Sequence, residues 1–145
     1  MHSDKRRTVF VGHDFTNRGG RVTKFRKIIS LALKNSGFSP IYAGTSRLHQ
    51  TLLKDITQKI AKCEFCIFDL TGYKKRKPDK NLNVILELGI SIGLRKQPFI
   101  AYKEGSIDFT KELSDLLGEY RNHYKTYEQL KLDIKLFIRS LGEKS

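Results

Sequence analysis

The chain has 145 residues, a net charge of +13 from 28 Lys and Arg against 15 Asp and Glu, and hydrophobic and charged fractions of 39% and 30%. That length and balance predict a single domain over residues 1–145 with its own core, and exclude a disordered or low-complexity chain. No apolar run approaches the ~20 residues that a bilayer requires, and Met1 to Arg7 are polar and basic rather than leader-like, so the expected compartment is the cytoplasm, with no membrane partner.

Short apolar runs alternate with helical periodicity throughout, the pattern of repeated βα units and a parallel sheet. Residues 8–12 read as a first strand. Val22, Phe25, Ile28, Ile29, Ala32 and Leu33 then recur on one helical face, and Asn35, Ser36 and Gly37 stop that helix. Residues 38–43 form a second strand, followed by a helix with Leu48, Leu52, Ile56 and Ile60 inward, and residues 65–69 form a third. Residues 71–80 are polar, basic and contain Gly and Pro, and read as a loop. A helix over 81–94, a strand over 98–102, a shorter helix over 109–117 and a weak strand over 120–124 follow. A closing helix turns Leu130, Ile134, Phe137 and Leu141 inward. The alternation predicts a flavodoxin-like, doubly wound α/β fold: a five-stranded parallel sheet in the order 2-1-3-4-5 with helices on both faces.

Cys63 and Cys66 have a C-x-x-C spacing that invites a redox or zinc reading. They fall in an apparent buried strand, where an odd offset sends the side chains to opposite faces, and no second Cys or His cluster completes a metal site. Core thiols are expected, and no metal. The densest basic runs are Lys5-Arg6-Arg7 and Lys74-Lys75-Arg76-Lys77. Such charge attracts nucleotide phosphates or an anionic partner and leaves nucleic acid open. No nucleic-acid motif accompanies it, because the aromatics fall in core positions rather than between the cations.

In the 2-1-3-4-5 order the chain leaves strands one and three in opposite directions, opening a crevice beyond their carboxyl ends. Gly12, His13, Asp14 and Phe15 follow strand one, and Asn17, Arg18, Gly19 and Gly20 lead into a helix amino terminus suited to anionic groups. Asp69 ends strand three. The helix over 81–94 is apolar on most sides, with Asn83, Glu87 and Ser91 at i, i+4 and i+8 forming one polar stripe, and Gly89 and Gly93 a second i, i+4 pair. A carboxylate on so buried a helix must be paired, protonated or turned to a polar cavity. Either Glu87 meets one of the many basic side chains, or it lines a nucleotide-sized cleft at the carboxyl ends of the sheet. The cleft accounts better for the stripe, because Asn83 and Ser91 would otherwise need partners in a core.

Val9 to Phe15, Cys66 to Thr71, Asn83 and Val84 with Glu87-Leu88-Gly89 and Gly93, and Pro98 to Ile100 resemble bacterial TIR-like (Toll/interleukin-1 receptor) domains and the related nucleoside 2-deoxyribosyltransferases, over roughly residues 8–102. The resemblance implies cleavage of an N-glycosidic bond, with NAD as substrate rather than cofactor and Glu87 as the catalytic carboxylate. Breaking the nicotinamide–ribose bond expels a neutral base from a cationic substrate. A lone carboxylate beside the anomeric carbon therefore suffices, stabilising an oxocarbenium-like centre or attacking it. Asn83 and Asp69 are then expected at ribose hydroxyls, Gly12, His13, Asp14 and Phe15 about the base or phosphates, and Ser91 along the same stripe. Phe15 and Tyr42 are open between base stacking and the core. Assembly with further TIR copies and a role in bacterial defence or signalling are also implied.

Other readings stay open. One is a non-catalytic TIR-like interaction module that uses the basic surface and leaves Glu87 structural; another is nucleoside base exchange. A phospho-acceptor receiver domain shares the predicted fold and would use Asp69. Its Mg²⁺ needs further acids after strand one, where Asp14 stands between His13 and Phe15, and strand four ends in Ala101-Tyr102 without the hydroxyl residue of a receiver's switch. The basic loop over 73–80 maps onto neither resembled family.

Overall fold

A computed structural model describes residues 7–16, 18–43, 49–74, 77–116, 118 and 120–143. Lys5, Arg6, Asn17, Leu48, Lys75, Arg76 and Leu117, and the side chains of Arg18, Leu52 and Lys74, lie outside the described residues. The elements run β1 (Arg7–Gly12), α1 (Arg21–Leu33), β2 (Phe38–Tyr42), α2 (His49–Lys62), β3 (Phe65–Asp69), β4 (Thr71–Lys74), β5 (Lys77–Lys80), α3 (Leu82–Gly93), β6 (Gln97–Lys103), α4 (Phe109–Glu112), β7 (Arg121–Tyr124) and α5 (Tyr127–Glu143). The main sheet has the order β2-β1-β3-β6-β7, and all its neighbouring pairs are parallel. This is the predicted 2-1-3-4-5 order once β4 and β5, which form a ribbon of their own, are set aside.

Helices cover both faces of the sheet, which is why its inner strands read as apolar runs rather than alternations. Val9, Val11, Phe65, Ile67 and Phe99 point to α1 and α5, where Phe25, Ile29, Leu130 and Ile134 meet them. Phe10, Cys66, Phe68 and Ile100 point the other way, to Ile56 and Ile60 of α2, Val84 and Leu88 of α3, and Phe109 of α4. α1 stops where expected, with Asn35 and Gly37 in the left-handed region at φ 63° and 83°. Among the described residues no helix is long and apolar enough to cross a membrane.

Three local expectations change, and in the first the helix expected over 109–117 breaks at Leu113 into α4 and a 3-10 turn, Ser114–Leu116. Cys63 falls between the end of α2 and the start of β3, so strand alternation does not apply to it. Both cysteines are free and buried in the same core, and burial pushes both thiols up, Cys66 to about 12. The largest change concerns residues 71–80, which are not a loop but the antiparallel ribbon β4–β5, pairing Thr71 with Lys80, Gly72 with Asp79, Tyr73 with Pro78 and Lys74 with Lys77.

Composition hid the ribbon, because Lys, Asp, Pro and Gly are poor strand formers. A lone two-stranded ribbon is marginal in water, and this one is pinned from outside. The Leu70 carbonyl accepts from Asn81 N–H at 2.7 Å, the Thr71 hydroxyl accepts from Lys103 N–H at 2.7 Å, and the Lys80 ammonium donates to Glu112 at 2.9 Å. The ribbon returns the chain from the end of β3 to Asn81, whose side chain caps α3 by accepting from Val84 N–H at 3.1 Å.

Candidate functional site at the carboxyl end of the sheet

α3 carries one charged side chain, and the helix turns it inward along with Val84, Leu88 and Ser91. Glu87 is 5% exposed, and its carboxylate ends against the last residue of β1. A Cβ built on Gly12 would stand 2.5 Å from Glu87 Oε2 and 2.8 Å from the Phe68 ring, so only glycine leaves this space. Oε2 is buried without a hydrogen-bond partner, and among the described residues no cation pairs with the carboxylate. Burial pushes its pKa up to about 7, so both protonation states are populated near neutral pH.

Asp69 has the parity of Phe65 and Ile67 and so faces α1 and α5. Tyr124 donates its hydroxyl to Oδ2 at 2.6 Å, and Thr71 N–H donates to Oδ1 at 3.1 Å. Burial raises its pKa to about 6 against the pull of those two donors. The residue ties the ends of β3 and β7 together across β6.

The loop after β1 is also tightly organised. Arg26 Nε donates to His13 Nε2 at 3.2 Å, which leaves Nδ1–H to donate to the Asp14 carbonyl at 2.8 Å. This neutral tautomer agrees with a His13 pKa lowered by burial. The ring lies among Phe15, Phe25 and Tyr42, at centroid distances of 5.1, 4.8 and 5.5 Å. Asp14 Oδ1 accepts from Thr16 N–H at 3.1 Å.

Among the described residues, the buried side-chain polar atoms without a hydrogen bond are Asp14 Oδ2, Arg21 Nη1, Tyr42 OH and Glu87 Oε2. Folded proteins satisfy nearly all such atoms. Here the exceptions cluster: Asp14 follows β1, Arg21 opens the helix after it, Tyr42 ends the neighbouring β2, and Glu87 rests on Gly12. Open space adjoins Asp14 and Arg21. A cavity of about 380 Å³ is lined by Arg21, Lys24, Tyr73, Lys103, Lys125 and Tyr127, while a recess at His13, Asp14 and Asp69 holds about 10 Å³, room for roughly one water.

The structure thus brings Glu87 to Gly12, and His13, Asp14 and Asp69 to an adjoining recess, with Phe15 43% exposed beside His13. It does not bring Asn83 and Ser91 there. Asn83 is exposed in the first turn of α3, whereas Ser91 is fully buried and donates its hydroxyl to the Leu88 carbonyl at 3.0 Å. Each step of four residues advances about 40° around a helix, so the expected stripe winds from solvent into the core and only its middle member reaches the strand end. Glu87 is buried against Gly12 and is not among the residues that line the described cavity of about 380 Å³. Sequence reading missed Arg21, Tyr73, Lys103 and Lys125 as cavity residues. The available signals were Arg21 directly after Gly19-Gly20 and Lys103 directly after an apolar strand.

Fold and site together define a flavodoxin-like α/β domain whose unpaired glutamate, on the helix after the third strand of the main sheet, meets the switch point between β1 and β3. Residues 8–126 match the family described as CAP12/Pycsar effector protein, TIR domain, and the chain belongs to that family. None of the curated proteins matches it by sequence. Solved structures share the fold at low identity. The CMP N-glycosidase BcmB of Clostridium botulinum superposes with a TM-score of 0.64 at 15% identity, over 90% of this chain and 99% of that one. A 2-desoxiribosyltransferase from Leishmania mexicana gives 0.58 at 14%, over 72% and 70%. A response regulator receiver domain from Clostridium thermocellum gives 0.51 at 15%, over 96% and 99%.

Proposed function

We propose that this domain cleaves the N-glycosidic bond of a nucleotide, with NAD as substrate and Glu87 as the catalytic carboxylate, in a bacterial defence or signalling setting. The observation that carries the reading is the enclosed, unpaired Oε2 of Glu87 at the switch point. A structural acid would have been given donors, as Asp69 was. Membership in a TIR-domain effector family supports the reading, as does the presence of an N-glycosidase among the similar folds.

The chemistry follows from the charge. The C1′–N bond of the nicotinamide riboside breaks, its electron pair neutralises the pyridinium, and Glu87 in its ionised form faces the cationic sugar. Water adds at C1′ and gives up its proton through the carboxylate. A cationic substrate ring also favours ionisation of a group poised at about 7. Self-association is expected to accompany turnover, through the outer face of α3, where Leu82 and Leu86 are 67% and 55% exposed.

The test is nicotinamide release from NAD by concentrated protein. Glu87→Gln, which keeps the shape and removes the charge, should lower the rate by about 10²- to 10³-fold or more. Full turnover by that variant retires the assignment. Supplying a second base separates hydrolysis from base exchange, since both would compete for one activated sugar.

A further inference from the structure

We propose that the β4–β5 ribbon and the cations beside it form a docking surface for the phosphate backbone of duplex DNA, held without regard to sequence. The inference stands apart from the Glu87 reading, because the ligand is a polymer bound on the surface and no part of it has to reach the carboxylate.

The ribbon is built against the preference of its own residues. Residues 71–80 hold five Lys and Arg against one Asp, a composition that ordinarily stays a solvated loop. Its outside contacts, Asn81 N–H on the Leu70 carbonyl, Lys103 N–H on the Thr71 hydroxyl and Lys80 on Glu112, all lie at the end where Thr71 pairs with Lys80. The other end is the pair of Lys74 with Lys77, in one of the two densest basic runs of the chain, and Lys77 is exposed there. Tyr73 carries the ribbon into the cavity of about 380 Å³, which Arg21, Lys24, Lys103 and Lys125 also line and no acidic side chain does. The Arg21 guanidinium lies over the Tyr73 ring at 3.3 Å from its centroid, and Lys103 Nζ stands 5.9 Å from the same centroid. Among the described residues Arg21, Lys24, Lys77 and Lys103 form no ion pair, and Lys125 has a long contact of 3.8 Å to Glu104. Five cations on one surface repel one another, and a row of phosphates removes that repulsion.

The rest of the surface decides which polyanion. A protein partner needs an apolar centre to its interface. The large exposed hydrophobic side chains lie elsewhere, Leu82 and Leu86 on α3 and Leu132 and Leu136 on α5 among them, and none is on the ribbon or lines the cavity. Nucleic-acid interfaces are more polar and far more positive. Single strands are gripped by stacking bases on open aromatic faces, whereas Arg21 already covers Tyr73 and Tyr124 is buried. A duplex keeps its own bases stacked and needs no such platform. Two strands of four residues measure about 14 Å by 5 Å in backbone, a size that the major groove admits. Four of the five cations are lysines, which meet phosphate as point charges rather than as a planar fork, so no sequence preference is expected.

The test follows the fluorescence anisotropy of a labelled mixed-sequence duplex titrated with the full chain at two salt concentrations. With four or five phosphate contacts, binding should weaken by about 10²- to 10³-fold between about 50 and 200 mM salt. Lys24→Gln with Lys77→Gln and Lys125→Gln removes three exposed cations of the surface and should cut that dependence to about tenfold or less. Lys54→Gln with Lys62→Gln and Lys135→Gln removes the same charge from exposed positions on α2 and α5 and should change it by less than about threefold. Circular dichroism should show both triple variants folded. No duplex binding at the lower salt, an equal loss in the second triple variant, or a single strand of the same length bound as tightly as the duplex overturns the surface. Polyglutamate of matched charge that displaces the duplex at equal concentration overturns DNA as the ligand in favour of an acidic protein. Glu87→Gln should bind the duplex like the parent, so loss of NAD cleavage and loss of DNA binding are read separately.

Discussion

Asp69 and Glu87 are buried carboxylates at the same end of one sheet, and the protein treats them differently. Asp69, on the α1/α5 face, receives a phenolic hydroxyl and a backbone N–H. Glu87, on the α2/α3 face, receives no donor at Oε2 and rests on a glycine. Burial raises both pKa values, so desolvation is common to the two and does not separate them. What separates them is satisfaction. A buried acid with donors joins two strands, while one without them stores a cost of desolvation that a cationic ligand can relieve.

The comparison can be broken at the contact between the strands and α3. Gly12→Ala puts a methyl where Oε2 and the Phe68 ring now lie. The shift of Glu87 should cost about 10²-fold in the rate of NAD cleavage, while circular dichroism shows the fold retained. A variant with the parent rate would show that the Glu87 position is irrelevant.

Asp69→Asn should act on stability instead. It weakens the bonds from Tyr124 and Thr71, and urea denaturation should register a loss of about 1–3 kcal/mol. Equal stability would remove Asp69 from its role as a strand tie.

Titration sharpens the contrast further. The folded pKa of Glu87, about 7, lies above the ordinary 4.5, so the folded state holds the proton more tightly than the unfolded one. Its contribution is complete below the ordinary value and falls as pH rises through about 7. Glu87→Gln lacks this dependence and should gain on the parent by on the order of 3 kcal/mol between about pH 4.5 and 7.5. Parallel stability curves for the two proteins would show that the carboxylate is not desolvated. The smallest effect is expected at Ser91, whose hydroxyl donates to the Leu88 carbonyl and meets the Cys66 thiol. Ser91→Ala should leave kcat/KM within about twofold and cost about 1 kcal/mol or less of stability.

Much of this was readable from residue order. The apolar runs that become β1, β3 and β6 and the punctuation at Asn35 and Gly37 determine the sheet order. A solitary glutamate on an otherwise apolar helix announces an unusual carboxylate before any coordinates are known. The partner of that carboxylate was not readable. The contact between Glu87 and Gly12 joins residues 75 positions apart, and no local pattern encodes such a meeting. Ser91 was misread because a stripe at i+4 spacing drifts around the helix. The β4–β5 ribbon was misread because its pairing is imposed by Asn81, Lys103 and Glu112 outside it, against the preference of its own residues.

The stack of Arg21 on Tyr73 has a practical consequence. The sequence contains no tryptophan, so an indole introduced at position 73 would be the sole emitter of its kind in the molecule, seated directly beneath a guanidinium. Its fluorescence would report the local environment without any label. An optical view of the cavity mouth is therefore available from one codon change.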